Sequence, residues 1–166
     1  MTDFHFGHVE KMMEYCNRPE NYEERLFNSM LQIPREDTLI FLGDYCMKGN
    51  DLYWHEKYLH PCKCKKILVK GNHDRKSYSW YYNHWDFVCE TFTMNIFGKL
   101  ILFSHTPQID SGYDVNIHGH FHNSDPVRHE LYLINIKNDK QILIKAEHDY
   151  RAISLRKLID NYNNNK

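Results

Sequence analysis

The chain contains no apolar run approaching the roughly 20 residues needed to cross a bilayer, and no apolar signal segment stands near its start. Neither an integral membrane protein nor a secreted one is expected. Charge excess is absent too: 21 Lys and Arg face 22 Asp and Glu, so nothing draws the chain in general to nucleic acid or an anionic membrane. The one basic cluster, Lys63 to Lys70, reads as a solvated strand edge. Cysteines (Cys16, Cys46, Cys62, Cys64, Cys89) are odd in number and irregular in spacing, which argues against a disulfide framework. Cys62 and Cys64 form CxC without a second pair, which argues against a zinc knuckle. A cytoplasmic protein with reduced thiols is the expectation, and no internal repeat is present.

What is there suffices for one domain over residues 1–166. With 42% hydrophobic, 14% aromatic and 26% charged residues, the chain can bury a core without staples. "PENYEERLFNSMLQIP" places Tyr22, Leu26, Phe27, Met30 and Leu31 on one helical face between prolines. "TLIFLGD" and "KKILVKGN" read as buried strands, with a helix near Asp51 to Leu59 between them and an aromatic helix at "SYSWYYNHW" after them. "ETFTMNIFGKLILFSH" reads as a hairpin turning at Gly98-Lys99. "YDVNIHGH" and "ELYLINIKNDKQILIK" supply further strands, the latter with a polar turn at Asn138 and Asp139. A helix near "SLRKLID" then precedes a polar tail at 161–166. Early helix–strand alternation and later hairpins predict an α/β fold with mixed sheets and flanking helices.

Four of these strands stop at polar clusters: Gly43-Asp44, Gly71-Asn72-His73-Asp74, Ser104-His105 and His118-Gly119-His120. In layered α/β folds, sites form beyond the carboxyl ends of strands, where separate loops converge. With Asp3 and His5 in "TDFHFGH" and His122 in "GHFH", the clusters offer carboxylates, imidazoles and one amide, a ligand set suited to Mn, Fe, Zn or Ni. On an extended segment the outer residues of DxH and HxH face the same way, so each pair can give two ligands to one side. Singly, such residues are more often caps or surface groups; jointly they point to a metal site.

The ordered motifs DxH (Asp3, His5), GDxxxxG (Gly43, Asp44, Gly49), GNHD (Gly71 to Asp74), a lone His (His105) and GHxH (Gly119, His120, His122) resemble the calcineurin-like metallophosphoesterase superfamily, in particular its small bacterial and phage phosphoesterases. The resemblance implies two mixed β-sheets packed as a sandwich with helices outside, and a dinuclear centre of two divalent ions, Mn foremost, with Fe, Zn or Ni as alternatives. It assigns Asp3, His5, Asp44 and His122 to the first ion and Asn72, His105 and His120 to the second, with Asp44 bridging. A metal-bridging hydroxide would attack the phosphoester while His73 protonates the leaving group. Asp74 would orient the loop or the imidazole, or make a plain turn-stabilising hydrogen bond. Asn72 and His73 would face substrate; His8, behind the DxH loop, would touch phosphate or cap a helix. His55, His60, His84, His129 and His148 fall outside the signature and read as solvated or packing residues, and His118 as a structural hydrogen-bonding one.

Two departures from the family pattern carry expectations. Only Met1 and Thr2 precede Asp3, where family members have an apolar strand. That strand is therefore expected to be missing, which would leave its neighbours with unpaired backbone groups; the expectation is either a truncated start or another segment or chain that fills the gap, with the first ion the less securely held. "GDYCMKG" also lacks the second acid and the Arg of the GDxxDRG motif of protein Ser/Thr phosphatases, which disfavours a phosphoprotein substrate. A small phosphomonoester or phosphodiester is expected. The alternatives are a catalytically weak or inactive metal-binding scaffold and a nuclease acting on short single-stranded nucleic acid; no membrane partner is expected.

Overall fold

Alternation of apolar side chains along short strands sets the layers. The computed structural model describes residues 1–47, 49–109, 112–122 and 140–164. Strands β1 (Thr38–Phe41), β2 (Lys65–Val69) and β3 (Phe87–Cys89) pair in that order, all parallel. Parallel neighbours need crossovers. They are supplied by α3 (Asp51–Trp54), continued by a π-helical turn at His55–Leu59, and by α4 (Tyr78–Tyr81), whose first turn is capped by the Ser77 hydroxyl accepting from Trp80 N–H. Both faces of this sheet are apolar, as strands covered on two sides require. Leu39, Phe41, Leu68 and Val88 pack with residues of α1 (Val9–Cys16) and α2 (Tyr22–Leu31), whereas Ile40, Leu42, Val69 and Cys89 join the core shared with the second sheet.

That second sheet runs β4 (Thr91–Ile96), β5 (Lys99–Ser104), β6 (Val115–His118) and β7 (Gln141–Leu143), with β4 and β5 antiparallel and the other pairs parallel. Ile101, Phe103, Val115 and Ile117 form its inner face, and α5 (Leu155–Asn164) adds Ile159 to the same core. The expected sandwich with flanking helices is what forms. Only the second sheet is mixed; the first is parallel throughout its described strands.

Several local readings shift. Helix α1 and strand β3 have no counterpart in the sequence reading. Leu31, expected on the buried face of α2, is 45% exposed, because the helix ends there and turns its last residue outward. The hairpin turns at Phe97-Gly98 rather than Gly98-Lys99: both have left-handed φ (55° and 69°), the pattern of a two-residue turn matched to strand twist, and Lys99 is already in β5. Helix α5 continues to Asn164, so the tail expected at 161–166 is helical through its first four residues. The strand expected over "ELYLINIK", the turn at Asn138 and Asp139, and His129 lie outside the described residues.

Residues 1–6 run alongside β1 and the loop after it. Met1 N donates to Ile40 O (3.0 Å), Leu42 N to Met1 O (2.9 Å), Asp3 N to Gly43 O (2.9 Å), His5 N to Asp44 O (3.1 Å) and Phe6 N to Tyr45 O (3.1 Å). The DxH loop is thereby bonded residue by residue to the GD loop. Farther back along the same edge, Thr38 and Ile40 line a cavity of about 550 Å³ together with Ile96, Phe97, Phe103 and Ile144.

Candidate metal centre

The loops after β1, β2, β5 and β6 meet at one end of the sandwich, against the DxH loop. Two glycines permit the approach. A Cβ on Gly71 would collide with the Asp44 carboxylate, and one on Gly119 with the Thr2 hydroxyl and with Asp3 Oδ2. Each buried carboxylate uses one oxygen to hold a neighbouring loop. Asp44 Oδ1 accepts His73 N–H (2.8 Å), while Asp3 Oδ2 accepts His120 N–H (2.9 Å) and the Thr2 hydroxyl (2.6 Å). Their second oxygens, Asp44 Oδ2 and Asp3 Oδ1, are left to face the imidazoles.

Two groups of donors result, with Asp44 in common. In the first, His5 Nε2 lies 3.0 Å from His122 Nε2 and 3.8 Å from Asp44 Oδ2, and His122 Nε2 lies 3.8 Å from Asp3 Oδ1. In the second, His105 Nε2 lies 3.4 Å from Asp44 Oδ2, 3.0 Å from Asn72 Oδ1 and 3.0 Å from His120 Nδ1. All seven residues that the resemblance names as ligands are thus brought together. His73 is placed beside them: its ring is 5.2 Å from that of His5, and one of its nitrogens is near enough to His5 and Asp44 to ligate with them.

This donor set fits divalent cations. The ring of His105 contacts Leu42 O through Nδ1 (2.7 Å), an acceptor that takes an N–H. In the neutral ring, Nε2 then carries a lone pair toward a carboxylate, an amide oxygen and another imidazole. At most one of the facing Nε2 atoms of His5 and His122 can donate, and Asp3 Oδ1 is buried with no hydrogen-bond partner among the described residues. Acceptors outnumber protons, and a cation answers that. Carboxylate oxygen, imidazole nitrogen and amide oxygen without thiolate suit Mn, Fe, Zn or Ni.

Charge states agree. Burial works against ionisation of Asp44, yet the hydrogen bond and charge of His105 and the charge of His5 outweigh it and hold the carboxyl well below its usual range. Burial likewise opposes a charged His105, but its bond to Asp44 and the charges of Asp44 and Asp3 raise it to about 9. Burial raises Asp3, and burial holds His5 well below its ordinary value. Without a metal, a proton on His105 is the cation the carboxylates retain; ligation must displace it.

The backbone is strained where the candidate ligands sit. Asp3, His5, Asp44 and His120 have φ of 55°, 51°, 59° and 70°, a left-handed conformation that costs L-residues roughly 1–2 kcal/mol each. Such outliers persist only where surroundings over-determine them. Asp74 does part of that: its carboxylate accepts from Gly71 N (2.8 Å), Asp44 N (2.8 Å) and Tyr45 N (3.2 Å), which ties the GNHD loop to the GD loop. Burial, reinforced by the charge of Asp44, lifts Asp74 to about 7. His8 begins α1 without making a side-chain cap, its Nδ1 is buried without a partner among the described residues, and burial, with the nearby charge of His73, lowers its pKa.

Three residues absent from the sequence reading of the site complete it. Arg18 follows α1 where Asn17 turns left-handed (φ 53°) and sends the chain back under the DxH loop. Its Nη1 donates to Phe4 O (2.9 Å), its Nη2 to Asp3 O (2.7 Å), and its Nε to Glu147 Oε1 (2.8 Å). Glu147 Oε1 lies 3.3 Å from His122 Nδ1, and the Tyr22 hydroxyl donates to His5 O (3.0 Å). No local pattern marks a buried Arg and a buried Glu 129 positions apart; Tyr22 was legible only as an apolar residue of α2.

Among histidines outside the signature, His118 donates through Nδ1 to Gly119 O (3.0 Å), as read, while His55 packs in an aromatic cluster and His148 is exposed. All five cysteines are free thiols. Among the described residues, no helix is long and apolar enough to cross a membrane.

Comparison with known proteins agrees with this geometry. The profile of the calcineurin-like phosphoesterases matches residues 1–162. A crystal structure of a protein of unknown function from Aquifex aeolicus is 27% identical, superposes with a TM-score of 0.73, and is matched over 97% of this chain and 96% of its own. No curated protein matches. A profile match over nearly the whole length, on a fold that brings the family's motifs to one point, makes this chain a member of the calcineurin-like phosphoesterase family, whose members are metal-dependent hydrolases of phosphoesters.

Proposed function

We propose that the protein hydrolyses a small phosphomonoester or phosphodiester at a centre of two divalent ions, with Mn the expected metal. Asp3, His5, Asp44 and His122 would hold one ion, Asn72, His105 and His120 the other. The observation that carries this reading is the position of Asp44 Oδ2, 3.8 Å from His5 Nε2 and 3.4 Å from His105 Nε2, where one carboxylate oxygen faces both groups of ligands. Bound as a pair, such ions supply Lewis acidity, acidifying water and polarising a phosphoryl oxygen.

The chain's own groups do the rest. His73, half-buried beside His5, carries the proton for the leaving oxygen on its imidazole. Its backbone N–H on Asp44 Oδ1 keeps the ring next to the centre. Asp74 holds the loop that presents both Asn72 and His73. His8, close to His73, would donate to a phosphate oxygen. A cavity of about 410 Å³ lined by Lys70, Asn72, Ser104, His105 and Gln108 adjoins the second group of ligands. Its volume suits a small leaving group, since pockets for such ligands run from roughly 300 to 1,000 Å³.

The test is hydrolysis of bis-p-nitrophenyl phosphate and p-nitrophenyl phosphate by purified protein stripped with chelator and reloaded with Mn, Fe, Zn or Ni. Turnover that returns with metal is expected. Absence of turnover with all four metals would refute the proposal in favour of a binding scaffold.

A further inference from the structure

An imidazole that ligates through one nitrogen needs the other held as an N–H donor. In His105 the Leu42 carbonyl does this at 2.7 Å. In His122 the corresponding nitrogen, Nδ1, meets two neighbours that ask for opposite tautomers: Glu147 Oε1 at 3.3 Å and Arg18 Nη2 at 3.1 Å. A carboxylate accepts from Nδ1–H, which leaves the Nε2 lone pair aimed at the side of Asp3 Oδ1 and His5. A guanidinium has only N–H groups to give. Were Arg18 the true partner, the proton would sit on Nε2, where a ligand needs a lone pair.

The remaining contacts of Arg18 decide between them. Its Nη1 donates to Phe4 O, its Nη2 to Asp3 O, and its Nε to Glu147 Oε1, with Nη2 also 2.7 Å from that oxygen. Arg18 is satisfied without the imidazole. The Glu147 side chain, 4% exposed, is held by the guanidinium with Oε1 within reach of His122 Nδ1. Cys16, His122 and Glu147 also form a group spaced to hold a cation, but the Arg18 guanidinium, in contact with both Glu147 and His122, already supplies the positive charge of that group.

We propose that Glu147, locked by Arg18, is a positioning residue that fixes His122 as the Nδ1–H tautomer and thereby sets the affinity of the first of the two metal positions. The inference rests on the two-ion reading above. Arg18 contributes twice, since its bonds to Asp3 O and Phe4 O brace the loop that carries the other ligands of that position.

The experiment compares full-length wild type, Glu147→Leu and Glu147→Gln, stripped of metal, by Mn titration calorimetry and by ¹⁵N NMR of the histidine rings. Wild type is expected to take up two ions and to show Nδ1–H at His122. In Glu147→Leu, one position should lose affinity roughly 10–100-fold, the range for a lost outer partner. The other position should be unchanged, and the His122 proton should move to Nε2. Glu147→Gln, whose amide oxygen still accepts, should recover most of the loss. Unchanged affinity with His122 still Nδ1–H in Glu147→Leu would overturn the proposal. So would equal weakening at both positions with loss of near-ultraviolet circular dichroism in both variants, which marks a role in the fold alone. If wild type binds no metal, the proposed function fails; the tautomer comparison of the metal-free proteins then decides this inference by itself.

Discussion

Histidines gather in two regions of this protein, and the regions use them in opposite ways. Around His55, with Trp80, Trp85, Tyr45 and Tyr81, the imidazole is fully served: Nδ1 donates to Asp51 O (2.7 Å), and Nε2 accepts from Trp85 Nε1 (3.1 Å). Burial pushes its pKa down to about 3, so the ring is neutral and the cluster complete. At the strand ends, imidazole nitrogens face other acceptors, carboxylates lie against them, and four of the residues hold left-handed backbone. One region is closed by its own hydrogen bonds; the other is closed only by a cation. Histidine content alone separates neither from the other, whereas the direction of each ring nitrogen does.

The sharpest way to break this contrast is Asp44→Asn. It removes the charge both ligand groups share, so it should cost more metal affinity than the roughly 10–100-fold of a lost outer partner and should affect both ions, as calorimetry would read. Next comes His73→Ala, expected to lower kcat roughly 10²–10⁴-fold while metal content measured by atomic emission stays at the wild-type value. Loss of an ion in that variant would make His73 a ligand, which its distance from His5 and Asp44 also permits.

The His55 cluster gives a pH prediction with the reverse logic. Its folded pKa of about 3 lies below the ordinary value of 6.5, so between these values the unfolded chain binds more protons. The stability contributed by neutral His55 is complete above about 6.5 and is lost as pH falls toward 3, an effect on the order of a few kcal/mol. Urea midpoints of metal-free protein should therefore decline through that window, and His55→Asn, which does not titrate there, should flatten the decline. Smallest of all is His60→Ala. His60 Nε2 lies 2.8 Å from His84 Nδ1, but on the surface, where changes stay within about 0.5 kcal/mol; thermal denaturation and turnover should both match wild type.

Much of the candidate ligand set is legible because it lies where strands stop. A buried strand is an apolar run, and the first polar residues after it stand at the sheet's end whatever the rest of the fold does. That logic points to Asp44, Asn72, His105 and His120 from the sequence alone. It could not find Arg18 or Glu147, since their meaning comes from a contact across 129 positions and neither sits in a pattern. It also misses α1, an eight-residue helix that buries only Met12 and Cys16, and β3, a three-residue strand below the length at which alternation can be read. The hairpin turn slipped by one residue because a Phe at left-handed φ is not a residue one assigns to a turn.

The central claim is that Asp44 stands between two cations. Electron paramagnetic resonance of the stripped protein during Mn titration tests it directly. The account predicts two ions per chain and, at full loading, the spectrum of an exchange-coupled pair; a single ion at saturation, or two that remain magnetically isolated, would contradict it.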